Sequence, residues 1–429
     1  MKRELGVFEK GQVIADKHAP FHIVAVLRVE NAPLPHILRR SFAELQKRHP
    51  LLSVRLMQEK GRKYFATLID PALPVNTIAR WNDDHWIQVT ESELGKRIDA
   101  QTGPLFGCTY LYSETHQQAE IILAISHFIA DAASTINLLH ELMMLCASFA
   151  DGELVSVSEL SPAPVAESRF PLAFRGWRLS LHTVRYVLAQ MAEEIIYRIR
   201  TIGKRTPPFY KHATRGHILS IQIPMDLVEP FSQRARKEGL TLSSALNAAF
   251  LLAVNRFLYA GKKLPMRTFS FPDLRPYVEP PLDAENLGVY NGMMRYTVDV
   301  DGSGDYWSLA RDLHKKIYAS LKSGDKFVAF AMSESLLKML TKLDSFRLCA
   351  AALNYSGTIP VQTSYGRSKV LGMHGFVSPY VFGPEMASQA QIFNNQLFWD
   401  FSYFDVDMDE SRAQAIVDEV ERIIKSADK

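Results

Sequence analysis

One pair of residues has the types and spacing to move a proton: His127 and Asp131, in Ser126-His127-Phe128-Ile129-Ala130-Asp131. A neutral imidazole near its ordinary pKa takes a proton from a hydroxyl, amine or thiol at neutral pH. The acceptor so activated would attack an activated acyl carbonyl, with no covalent enzyme intermediate. Asp131 need not touch the ring; paired with an arginine, it would stiffen the loop and fix the histidine's tautomer. The spacing by itself is weak. With 13 histidines and about one Asp in twenty residues, chance supplies roughly 0.7 such pairs. A buried or capping histidine is the plain alternative. The stronger signal is context. An apolar strand runs into His127 and a helix follows, which is where α/β proteins hold working groups against a cleft.

The elements that must hold this pair read as mixed α and β. In the first part, 21–27, 51–57, 63–68, 107–112 and 119–125 have strand character. The last is apolar after Glu120, as a central buried strand would be. Helices are expected over 35–47, opened by Pro35 and stopped by Pro50, over 91–100 and over 132–150. The same alphabet restarts at 216. Strands are expected at 216–223, 266–271, 292–300, 348–354, 370–374, 390–394 and 396–403. Helices are expected at 224–238, 242–259, 306–321, 325–342 and 409–425. Thr241 is placed to cap the second of these after Gly239 ends the first. With 429 residues the chain exceeds one ordinary core, so two lobes of roughly 200 residues are expected. We set them at 1–150 and 215–429, joined by a connector over 151–214. That connector holds one continuous apolar helical face: Phe174, Trp177, Leu181, Val184, Leu188, Met191, Ile195, Ile199 and Ile202. Its favoured reading is a helix packed across the lobes. The rivals are peripheral contact with a membrane through 174–202 and self-association.

Several segments, in order along the chain, resemble one family. The run FHIVAVLRVENAPLPHILRRSFAELQKRHPLLSVRL, with its turn at Arg48-His49-Pro50, is similar to the opening of nonribosomal-peptide condensation domains, polyketide-associated acyltransferases and alcohol acetyltransferases. ISHFIADAAS resembles their His-His-x-x-x-Asp-Gly segment. Asp273-Leu274-Arg275-Pro276, Asn286-Leu287-Gly288-Val289-Tyr290-Asn291-Gly292 and Asn354-Tyr355-Ser356-Gly357 resemble later segments that face the active site. The resemblance implies an α/β (α+β) fold of two chloramphenicol-acetyltransferase-like lobes, a V-shaped pseudo-dimer with a central tunnel. It implies His127 as general base, Asp131 as structural with Arg275 its salt-bridge partner, and Ser126, Ala132, Asp273, Asn291, Asn354 and Tyr355 along the tunnel. The donor would be an acyl thioester, on coenzyme A or a carrier protein's phosphopantetheine, and the acceptor a hydroxyl or amine. No permanently bound cofactor is implied. Two residues depart from the pattern: Ser126 stands for a first His and Ala132 for a Gly that permits close backbone approach. A non-catalytic relative that binds a carrier protein or acyl chain is the second reading. With no carrier or adenylation domain in the chain, a free-standing monomer is expected.

Other chemistries find less support. A net charge of +3 gives no case for nucleic acid. Cys108, Cys146 and Cys349 lack disulfide or zinc spacing, and no Walker loop or dinucleotide fingerprint occurs. Gln362-Thr363-Ser364-Tyr365-Gly366 misses the first Gly of a nucleophile elbow and reads as a turn. Asp405 to Glu410 lacks the Gly of a calcium loop and reads as a helix N-terminus. No signal peptide and no run of about 18 apolar residues is present, so a cytoplasmic protein is expected.

Overall fold

Apolar, β-branched runs build the strands, and the apolar spacings of three and four build the helices. The computed structural model describes residues 2–115, 117–162, 164–204, 215–283, 285–343, 347–378 and 383–426. The chain begins β1 (Lys2–Glu4), α1 (Val7–His18), β2 (His22–Glu30), α2 (Pro35–Arg48), β3 (Val54–Glu59), β4 (Arg62–Thr67) and β5 (Val75–Ala79). It continues α3 (His85–Gly95), β6 (Phe106–Ser113), β7 (Gln118–Ser126), α4 (Ala132–Ala150) and α5 (Gly176–Thr201). Then come β8 (Gly216–Pro224), α6 (Met225–Lys237), α7 (Leu242–Leu258), β9 (Leu264–Ser270), β10 (Met294–Val300), α8 (Tyr306–Ser323) and α9 (Asp325–Leu340). The last elements are β11 (Ala351–Thr358), β12 (Ser364–Tyr365), β13 (Ser368–Val377), β14 (Met386–Phe393), β15 (Gln396–Phe404) and α10 (Glu410–Lys425).

Two compact units share the chain. The first is Met1–Arg169 with Pro280–Tyr290 and Thr358–Ser378; the second is Phe170–Glu279 with Asn291–Gly357 and Pro379–Lys429. Each is built on a six-stranded sheet, in the order β12-β13-β2-β7-β6-β5 in the first and β10-β9-β11-β14-β15-β8 in the second. In the first unit β7 is central, with Ile121, Ile122, Leu123 and Ile125 fully buried, as its unbroken apolar run requires. Because β2 is buried along nearly all its length, an unpaired edge would strand its backbone groups. β7 fills one edge, Leu27 opposite Ile121. β13 fills the other, Met373 opposite Leu27 and Phe376 opposite Val24. This corrects the sequence boundary that put all of 215–429 in one lobe. In the second unit α7 is buried on nearly every side and, Asn247 apart, supplies core from Ala245 to Val254. Thr241 caps it, accepting from the Ser244 N–H at 3.4 Å.

Two local expectations shift. The third helix starts at His85, six residues before its expected start, because Trp86, Thr90 and Leu94 form its buried stripe. α1 and β5 lie where no element was expected. Residues 205–214, the end of the expected connector, lie outside the described residues. Among the described residues α4 alone is long and apolar enough by itself to cross a membrane, and 56% of its apolar window is buried inside the structure.

The connector helix reverses its favoured reading. α5 turns its polar face to the second unit. Arg267 donates to Glu194 at 2.7 Å and its guanidinium lies 3.5 Å from the centroid of the Tyr197 ring. Arg295 donates to Gln190 at 3.1 Å, and the Thr297 hydroxyl donates to Glu193. Of the apolar series only Phe174 turns inward, onto Phe327; the residues from Trp177 to Ile202 are exposed.

Candidate active site

β7 delivers His127 and α4 receives it. The His127 N–H donates to the Phe21 carbonyl at 3.2 Å, and the two rings stack at 5.0 Å. The residue keeps 8% of its surface accessible. Its Nδ1 is sealed, without a hydrogen bond of good geometry among the described residues. Burial lowers the imidazole pKa; the carbonyls of His127 and Ala130 and the charge of Asp131 offset part of this. The lowered pKa favours the neutral ring at neutral pH.

Asp131 is the N-cap of α4. Its Oδ1 accepts from the Ser134 N–H at 2.9 Å and its Oδ2 from the Tyr290 N–H at 2.8 Å. Its own N–H donates to the Gly288 carbonyl at 3.1 Å, and the Ser134 hydroxyl donates to the same oxygen at 2.9 Å. One carboxylate thus closes the helix end and pins the 288–290 strip to it. Gly288 lies against the Tyr290 ring, where an added Cβ would meet Cε2 at 2.6 Å. Tyr290 is tied again through its hydroxyl to the Pro164 carbonyl at 2.8 Å.

The remaining expected residues fall in both units. Ser126 is buried opposite His22 in the β2–β7 ladder. Ala132 is the first residue of α4 and has no positive φ. The backbone therefore does not require glycine there. Ala132→Gly, at the first helical position, should lower stability by no more than the mid-helix cost of about 0.5–1 kcal/mol, measured by denaturant unfolding; a gain in stability would contradict this. In the second unit, Asp273 and Asn291 face each other in an isolated bridge. Arg275 is buried and donates to Asp273 at 3.1 Å. The Asn291 Oδ1 is sealed with no hydrogen-bond partner among the described residues. Asn354 donates to Gln389 at 2.6 Å, and burial raises the phenol pKa of the adjacent Tyr355.

Sequence reasoning assigned no structural role to three features. His22, buried beside the end of β7, bonds the Glu93 carbonyl at 2.8 Å, and burial lowers its pKa. Gly288 and Tyr290 were read only as part of a motif; their signal was a glycine two residues before a tyrosine in a strip otherwise without regular periodicity. The Arg48-His49 turn is a clamp: Arg48 bonds Glu141 and Glu285, each at 2.8 Å, and His49 bonds Glu141 at 3.0 Å. Burial would raise the Glu141 carboxyl, but His49 and Arg48 together hold it below its ordinary value.

The weaker candidates resolve as structure. All three cysteines are buried, and burial pushes the Cys146 thiol up to about 12. Gly366 turns at φ 55° between the β12–β13 pair. In the acidic run Asp407 pairs with the buried Arg347, and Asp409 caps α10, accepting from Arg412 at 2.8 Å. Among the described residues no group of three His, Cys, Asp or Glu is arranged to hold a metal.

Residues 228–345 match a family model described as phthiocerol/phthiodiolone dimycocerosyl transferase C-terminus. No curated protein sequence matches the chain. Polyketide synthase associated protein 5 from Mycobacterium tuberculosis is 16% identical, with a TM-score of 0.70 over 98% of each chain. A trichothecene 15-O-acetyltransferase from Fusarium sporotrichioides is 12% identical, with a TM-score of 0.80 over 99% of this chain and 95% of that one. The first condensation domain of the CDA synthetase is 13% identical, with a TM-score of 0.73 over 100% and 96%. Over nearly its whole length, then, the chain has the fold that these three proteins share.

Proposed function

We propose that this protein transfers an acyl group from a thioester to a hydroxyl or amine, with His127 as general base. The observation that carries the reading is an imidazole fixed by its backbone and by Phe21 at the end of the central strand, with Nδ1 sealed. Sealing Nδ1 leaves Nε2 to work. Nε2 takes the acceptor's proton while the acceptor oxygen or nitrogen attacks the thioester carbonyl. The C–S bond then breaks and the leaving thiolate recovers the proton from the imidazolium. Every atom is accounted for without an acyl-enzyme. The thioester donor is acyl-coenzyme A or an acyl carrier protein; proteins of like fold named as a polyketide synthase associated protein and a synthetase condensation domain support that class.

The test is release of free thiol from both donor types, with and without alcohol and amine acceptors. Acceptor-dependent thiol release is expected. Tight donor binding with no thiol release would favour the non-catalytic reading. The pH dependence follows from burial. Folding disfavours the imidazolium, so the His127 pKa lies below its ordinary 6.5. The base stays neutral until pH falls through that lowered value, and kcat/KM should decline only there. An acid limb centred above 6.5 would contradict the assignment.

A further inference from the structure

Helix α5 wears its apolar stripe outward. Trp177, Leu181, Leu188, Met191, Ile195 and Ile199 are 57% to 70% exposed. Soluble monomers rarely leave so long a contiguous apolar surface uncovered. The helix cannot simply roll to hide it. Its opposite face is held by Glu194 on Arg267, Gln190 on Arg295 and Glu193 on Thr297. Rolling would strip partners from groups already withdrawn from water. Its N-terminal approach is pinned as well: the Phe174 ring fills the space beside Gly324 where a side chain would stand.

Charge identifies what covers the stripe. Between 172 and 204 the sequence has six Arg and Lys and only two carboxylates, Glu193 and Glu194. Both carboxylates are engaged on the inner face. At 100° per residue, Arg178 and Arg185 fall along one border of the stripe. With Ala173, Trp177, Leu181 and His182 they line an open depression of about 440 Å³. Apolar side chains beside guanidinium groups, on a helix lying flat on its protein, match the boundary between acyl chains and anionic headgroups. A second copy of this chain is the other possible occupant, and sedimentation separates the two.

We propose that α5 seats this protein on an anionic lipid surface, its stripe in the headgroup–acyl boundary and Arg178 and Arg185 on lipid phosphates. The inference is independent of the acyl-transfer reading. It is tested by flotation of the full chain with phosphatidylcholine vesicles, with and without phosphatidylglycerol. The parent protein should float with the anionic vesicles and bind them less at high salt. The triple variant Leu181→Glu/Leu188→Glu/Ile195→Glu and the double variant Arg178→Glu/Arg185→Glu should each bind at least about tenfold more weakly. All five side chains lie on the outer face of the helix, and circular dichroism should show both variants folded. Absence of parent binding to anionic vesicles would overturn the proposal, as would undiminished binding of the triple variant. Sedimentation provides the other decisive outcome. A parent dimer that the triple variant abolishes, without vesicle binding, would assign the stripe to a second copy and overturn the lipid reading.

Discussion

His127→Ala should lower acyl transfer by about 10²–10⁴-fold, the range a positioned general base supplies, while the protein stays folded. The separation of the two effects has a physical basis. The ring packs on Phe21, and that contact is lost. Yet the ring also buries an Nδ1 with no good hydrogen bond, and removing it relieves a desolvation cost. The net change in stability should therefore be small beside the loss of rate. Donor binding should change little, because the base contributes to the transition state more than to the ground-state complex. Undiminished turnover in a folded His127→Ala protein would remove the residue from the mechanism.

Asp131→Ala should act on stability first. The carboxylate caps α4 through Ser134 and holds the Tyr290 N–H, both buried. Losing a cap costs about 1 kcal/mol. Losing the charge-assisted bond to the buried Tyr290 N–H costs a further 1–3 kcal/mol, about 2–4 kcal/mol together. Asp131→Asn should restore about half. Its amide oxygen can still cap Ser134, but its NH₂ then faces another donor at Tyr290. Urea unfolding of the three proteins checks the order. An alanine variant within about 0.5 kcal/mol of the parent, the scatter expected of a neutral surface change, would refute this double role. On the proposed mechanism Asp131 positions the base, so its variants should lose rate without moving the acid limb proposed for His127.

The sequence by itself determined the local elements that bear His127. The apolar run of β7, the turn through Ser126 to Asp131 and the helix from Ala132 are short-range patterns, and each appears where periodicity put it. It also determined that α5 has two unlike faces. Long-range partners decided the rest. Asp131 meets a backbone amide 159 residues away, and backbone donors leave no trace in residue type. β13 joins the first unit because β2 is buried on both edges, a demand no property of β13 reveals alone. For α5 the helical period separates an apolar from a polar face but does not say which one packs inward. Burying the apolar face is the ordinary solution, because it removes the most surface from water. Here Arg267, Arg295 and Thr297 offer matched partners to the polar face instead, and only the tertiary structure could reveal that choice.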